Sequence, residues 1–332
     1  MVFTEKIKLG LYGFGNVAKG VLFAAKGSDD LAVTSVFTKR NPNEVSLPFK
    51  DINMYSKDEL LNHKNNIDVL VMCGGSFKDL PKETPYAARY FNTVDSFDTH
   101  SKIKEHFENT DRAAKSGKKT AIISVGWDPG LFSLFRAYSK SVLNNAKTYT
   151  FWGRGVSQGH TEALKKTDGV LYAVQYTVPK ESAKNAVKSG AAEKLLPREM
   201  HERVCYIVPK EGADKEKNEK EIKVMKNYFD EYDTKVYYIS KEEFFKNHTK
   251  MMHGGTVFSS GKTGECLKNR ETAELSLKLD SNPEFTASVI VCFARAIYKM
   301  HQRGENGCKT VFDVKPADLS MLSSTELMSH LL

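Results

Sequence analysis

The chain holds only five cysteines, Cys73, Cys205, Cys266, Cys292 and Cys308, widely spaced and odd in number, and no C-x-x-C pair. That excludes a disulfide framework and a cysteine-based zinc site. Its nine histidines form no H-E-x-x-H or other ligand spacing, so no metal is expected. No apolar run approaches the length needed to cross a bilayer, and the N-terminus leads straight into a strand rather than a secretory signal. A cytoplasmic protein with no membrane partner is the expectation. Internal repeats and low-complexity linkers are missing too. The excess of 49 basic over 41 acidic residues leaves a formal net charge of +8, yet the lysines are scattered. The densest run, DKEKNEKEIKVMK after Ala213, alternates sign like a solvated helix face, so no nucleic-acid partner is expected.

What is present is a chain of 332 residues, 40% hydrophobic and 27% charged, long enough for two domains with a core each. The stretch from Lys6 to Gly20, KIKLGLYGFGNVAKG, reads as strand, tight turn, helix. Ile7, Leu9 and Leu11 form the apolar run. Gly13, Gly15 and Ala18 then follow the spacing G-x-G-x-x-G/A. Gly13 permits the turn, Gly15 lets backbone approach a pyrophosphate, and Ala18 allows close helix-to-strand packing. Phe14, Asn16 and Val17 complete the loop and helix start, whose free N–H groups suit an anion.

Apolar strands alternate with helical stretches through the first half, as in a doubly wound parallel α/β sheet of Rossmann type. Leu31 to Phe37 is the second strand, and Thr38, Lys39 and Arg40 follow it. An NAD enzyme places Asp or Glu there, about twenty residues past the glycines, for the ribose hydroxyls. This segment has a hydroxyl, two cations and no carboxylate, which favours the 2′-phosphate of NADP. Ile67 to Met72 is a buried parallel strand ending in Cys73, Gly74, Gly75 and Ser76, a loop at the ligand-binding edge. Cys73 lacks a neighbouring base and reads as a small buried residue beside the cofactor. Two further strand ends carry carboxylates: Phe91 to Asp98, with Asp95, expected beside the cofactor, and Asp98, and Thr120 to Val125, leading into Asp128 before Pro129 and Gly130. Asp128 alone is as consistent with a helix N-cap as with catalysis.

The character then changes. A helix from Phe132 to about Asn144 leads to a strand at Thr148 to Trp152 and a second glycine-rich loop, Gly153 to His160, read as a substrate loop. Strands are expected at Val170 to Val178, Val204 to Val208, Lys235 to Ile239, Thr256 to Ser260 and Ala273 to Leu279, with a charged helix near Lys215 to Tyr232. The alternation in Lys235 to Ile239 suits an antiparallel sheet with one wet face. Phe285 to Met300 returns to a helical pattern and is expected to pack on the first domain. The division is thus residues 1–126, completed by about 285–332, for dinucleotide binding, and 127–284, an α+β domain, for substrate and dimerisation.

The segments YGFGNVAKG, TVDSFDTH, SVGWDPGLFS, TFWGRGVSQGH, AVQYTVP, HERVCYIV, MHGGTV and LDSNPEFTAS resemble, in order and across nearly the whole chain, those of the meso-diaminopimelate dehydrogenase family. The resemblance implies an NADP-dependent oxidoreductase acting on CH–NH2 in lysine biosynthesis, and a homodimer. It implies that Asp98 and Asp128 contact the D-amino acid centre and that Trp152, Gln158 and Gly159 line the pocket. Thr177, Arg203, His253 and Asn282 would hold the carboxylate and amine of the distal L-centre. Ala18 replaces a third glycine found in some relatives, Thr38-Lys39-Arg40 stands where Ser-Arg-Arg is often found, and Met251-Met252 differs from a Met-Pro seen in some members. Lysine can neutralise a phosphate but lacks arginine's planar fork. No lysine stands out as a base, which leaves Asp128, Asp98 or water for the proton step. Two other readings keep the cofactor: a reductase of a related imine or semialdehyde, and a non-catalytic NADP sensor.

Overall fold

The computed structural model describes residues 5–190, 192 and 194–332. The chain forms two compact units, one running up to Leu134 and resuming with Pro283–Leu332, the other Phe135–Asn282.

The first unit is built on a seven-stranded sheet in which every pairing is parallel. Its strands lie in the order Gly307–Lys309, Thr120–Ile122, Asn92–Asp95, Val69–Met72, Ile7–Tyr12, Leu31–Thr38 and Asn53–Ser56. Val69, Leu70, Val71 and Met72 are all fully buried, as a strand covered on both faces requires. Leu9, Leu11, Val69 and Val71 pack on the side of helices Asn16–Lys26 and Asn282–Gln302. Tyr12, Leu70 and Met72 pack against Leu80 and Ala87 of helix Leu80–Ala88. The two edge strands, Asn53–Ser56 and Gly307–Lys309, are too short to show a period, and sequence reasoning passed over both. Helices Asn16–Lys26 and Asn282–Gln302 meet closely at Gly20, where a Cβ would stand 2.7 Å from the Ala287 Cβ.

The second unit holds two sheets. One has the order Asp233–Tyr238, His201–Pro209, Val170–Pro179, Gly155–Val156; the other is Asn269–Leu279, His253–Thr263, Asn144–Trp152. The three-stranded sheet is antiparallel throughout. The four-stranded one corrects an expectation. Asp233–Tyr238 pairs in parallel with His201–Pro209, because the chain crosses over through helix Lys215–Lys223 before re-entering the sheet. Its alternating pattern, read as antiparallel, marks an edge strand with one wet face. That helix is also shorter than expected: it ends at Lys223, Asn227 adopts φ +67°, and Phe229 turns inward to become fully buried. Among the described residues no helix is long and apolar enough to cross a membrane.

Candidate active site

The candidate residues fall into two groups, one in each unit. In the first unit, the turn after the opening strand has Gly13 at φ +105°, where a Cβ would lie 3.1 Å from the Cys73 carbonyl. A side chain at this position would be strained by both conformation and contact. A Cβ on Gly15 would have open space around it for 4 Å. The helix that starts at Asn16 carries neither a side-chain cap nor an acidic residue in its first turn. Its leading N–H groups, with Val17 in the first turn and Ala18 wholly buried beneath, therefore fit a dinucleotide pyrophosphate.

Thr38 is buried and its Oγ1 accepts the Arg40 N–H at 3.1 Å, shaping the turn that presents Lys39 and Arg40. Arg40 Nη2 donates to the Phe14 carbonyl at 2.6 Å, and its guanidinium lies 5.9 Å from the Phe14 ring centre. Sequence reasoning found no carboxylate at this strand end, but the fold supplies two from another segment. Lys39 Nζ lies 2.7 Å from Asp79 Oδ1 and 2.9 Å from Glu83 Oε1. Burial pushes the Cys73 thiol up to about 12, which agrees with a non-nucleophilic residue. Gly74, Gly75 and Ser76 continue that loop. Gly75 N–H donates to Asp79 Oδ2 at 2.9 Å, and Ser76 Oγ accepts the Asp98 N–H at 2.9 Å.

Strands Asn92–Asp95 and Thr120–Ile122 are parallel neighbours, so the loops carrying Asp98 and Asp128 leave the same sheet edge. Asp98 is exposed; Asp128 is half-buried in the tight turn closed by the Trp127–Gly130 bridge. Asp95 requires a correction. Expected beside the cofactor, it is 0% exposed instead and both its oxygens are engaged inside the unit. Oδ1 accepts Phe97 N–H at 3.1 Å and Ser124 N–H at 2.9 Å; Oδ2 meets Thr84 Oγ1 at 2.9 Å and His106 Nε2 at 2.7 Å. Asp95 ties together the two loops that bear Asp98 and Asp128 rather than facing a ligand.

In the second unit, sheet register sets the geometry. Arg203 pairs with Thr177, and Thr177 pairs on its other side with Gly155. Arg203 is 7% exposed and Thr177 3%, and Arg203 Nη1 donates to Thr177 Oγ1. Arg203 Nε is buried with no hydrogen-bond partner among the described residues. Such a donor is costly unless a ligand satisfies it. Gly155 lacks a side chain because His253 packs there; a Cβ would come within 2.4 Å of the His253 Cα. His253 Nδ1 is engaged with the Gly254 backbone, and the Asn282 N–H donates to the Met251 carbonyl at 2.9 Å. Trp152, at the end of its strand, lies opposite Gly255. Gln158 and Gly159 open helix Gln158–Lys165 and are exposed.

Two residues near Arg203, Tyr232 and His201, were missed, and a third, His160, was read only as the end of the substrate loop. The Tyr232 ring centre lies 3.8 Å from the guanidinium carbon. His201 shares the Arg203 face of the strand by simple alternation, the signal that could have found it. Its Nε2 accepts the Trp152 N–H at 2.9 Å, and its ring stacks on the indole. His160 Nδ1 sits 2.8 Å from Ser157 Oγ. Burial first, and then the Arg203 charge, push His160 down to about 4 and His201 to about 3 and also lower His253. With those imidazoles neutral, Arg203 is the cation of the cluster, a donor set fitted to a carboxylate.

Residues 126–281 match the family Diaminopimelic acid dehydrogenase C-terminal domain. The meso-diaminopimelate D-dehydrogenase of Ureibacillus thermosphaericus is 49% identical over 328 residues, covering 99% of this chain and 100% of its own. That of Acetivibrio thermocellus is 47% identical over 331 residues, covering 100% of this chain and 99% of its own. This chain belongs to the meso-diaminopimelate D-dehydrogenase family. As a member of the meso-diaminopimelate D-dehydrogenases it is an oxidoreductase acting on CH–NH2 groups. Solved structures share its fold. The Corynebacterium glutamicum DAP dehydrogenase in complex with DAP gives a TM-score of 0.92 at 36% identity, covering 99% of this chain and 100% of that one. An engineered D-amino acid dehydrogenase bound to NADP+ gives 0.87 at 35%, covering 98% and 100%.

Proposed function

We propose that this chain catalyses the reversible, NADP-dependent oxidative deamination of the D-centre of meso-2,6-diaminopimelate, yielding L-2-amino-6-oxopimelate and ammonia for lysine biosynthesis in the cytoplasm, as a homodimer. The observation that carries the reading is the buried Arg203–Thr177 pair, whose unpartnered Nε lies among neutral imidazoles. Arg203, Thr177, His253 and Asn282 hold the L-centre, the guanidinium gripping its carboxylate by charge-assisted hydrogen bonds. Trp152, Gln158 and Gly159 line the substrate pocket. Asp98 and Asp128 receive the D-centre ammonium, orient it and take up its proton, with Asp95 keeping their two loops in register.

Gly13, Phe14, Gly15, Asn16 and Val17 hold the pyrophosphate, Thr38, Lys39 and Arg40 the 2′-phosphate end, and Cys73 to Ser76 the nicotinamide side. When bound, NADP+ supplies the acceptor for the hydride leaving the D-Cα. The resulting substrate imine is hydrolysed by water to the keto acid and ammonia. The chain's own contribution is alignment and electrostatics. The test is incubation with NADP+ and meso-diaminopimelate at alkaline pH while nicotinamide absorbance is followed. Reduction with stoichiometric ammonia is expected; intact NADPH binding without turnover would overturn the proposal.

A further inference from the structure

Counted along the sequence, Lys39 and Arg40 are two open cations at the ribose end of the cofactor site. The fold changes that count. Lys39 Nζ is 2.7 Å from Asp79 Oδ1, and Asp79 is held from behind by the Gly75 N–H on Oδ2 at 2.9 Å, so its carboxylate is fixed over the ammonium. Glu83 also reaches Lys39, at 2.9 Å, but it is shared with Lys57, whose Nζ meets both Glu83 oxygens at 2.8 and 2.7 Å. Lys57 is anchored against the Tyr12 ring at 4.0 Å. Glu83 is therefore balanced by Lys57, and Asp79 falls to Lys39. Among the described residues no carboxylate pairs with Arg40.

We propose that Asp79 sets the degree to which this chain prefers a 2′-phosphorylated nicotinamide dinucleotide over the unphosphorylated one. The proposal rests on the reading of Thr38 to Arg40 as the 2′-phosphate end. A phosphate dianion there meets Arg40 without competition but contends with Asp79 for Lys39. A ribose 2′-hydroxyl, by contrast, finds in Asp79 the carboxylate acceptor that enzymes using the unphosphorylated cofactor place at this position. Asp79 thus weakens one ligand and supports the other. The Lys39 side chain is 60% exposed and that of Asp79 32%, so solvent keeps the effect moderate.

Calorimetric titration of NADP+ and NAD+ into the whole protein tests this. Asp79→Asn should tighten NADP+ by about 3- to 10-fold and weaken NAD+, and adding Lys39→Gln should abolish the gain in NADP+ affinity. If Asp79→Asn folds poorly, Asp79→Ser keeps an acceptor for Gly75 N–H and should move the ratio the same way. Unchanged NADP+ affinity, or both cofactors shifting together, overturns the proposal. Arg40→Ala separates it from the reading beneath it. If Arg40→Ala leaves the NADP+/NAD+ ratio unaltered, the phosphate assignment of that turn has failed; if the ratio falls but Asp79→Asn does not tighten NADP+, the Asp79 proposal alone has failed.

Discussion

Replacing Arg203 by methionine, of similar length but uncharged, tests the substrate reading where the structure is most explicit. Arg203 is 7% exposed, and its guanidinium is bonded to Thr177, packed on the Tyr232 ring at 3.8 Å, and has a buried Nε with no partner among the described residues. Removing one member of a buried charge pair costs about 3–5 kcal/mol, because the other charge is left desolvated and unmatched. At about 1.4 kcal/mol per decade, that is a loss of roughly 10²- to 10³-fold or more in kcat/KM for meso-diaminopimelate. NADP+ affinity should stay within about twofold, since no cofactor residue is altered. The ligand-free protein should not lose stability comparably, because methionine also removes an unsatisfied buried donor. Initial rates over a range of diaminopimelate concentrations, together with urea denaturation of the free protein, read both quantities. A KM within about twofold of the parent would refute the assignment of Arg203 to the substrate carboxylate.

Asp128→Ala should lower kcat for deamination by about two orders of magnitude or more while sparing NADPH binding, checked by steady-state rates and fluorescence titration. His201 is held neutral, down to about 3, while its unfolded form takes up a proton near its ordinary value. Its contribution to stability is therefore present above that value and is lost as pH falls, by about 1.4 kcal/mol between pH 7.5 and 5.5. Denaturant unfolding at the two pH values should show this dependence diminished in His201→Asn. Gly20→Ala would place a methyl 2.7 Å from the Ala287 Cβ and 3.1 Å from the Glu284 backbone, and the clash should outweigh the helical gain of about 1 kcal/mol, lowering Tm in a thermal scan.

The first unit was legible because its signals are local. The Gly13–Gly15–Ala18 spacing, the apolar run ending at Met72 and the breaks at Cys73 and Asp128 each announce an element without knowledge of the rest. Features made by tertiary pairing were not. The parallel pairing of Asp233–Tyr238 depends on a crossover helix whose end at Lys223 has no strong stop signal. Asp79 and Glu83 meet Lys39 across forty residues or more of chain, and no motif links them. Asp95 looked like its neighbour Asp98 in sequence, and only burial distinguishes the aspartate that joins two loops from the exposed one. Tyr232 precedes a strand as an ordinary aromatic would; its place over Arg203 follows from the register between two strands.

The most direct test of the whole account is the fate of the hydrogen on the D-centre. With meso-diaminopimelate carrying deuterium at the D-Cα alone, the label should pass to nicotinamide C4 and slow a single-turnover reduction, while deuterium at the L-Cα should remain in the keto acid product. Label reaching the cofactor from the L-centre, or from neither, would contradict it.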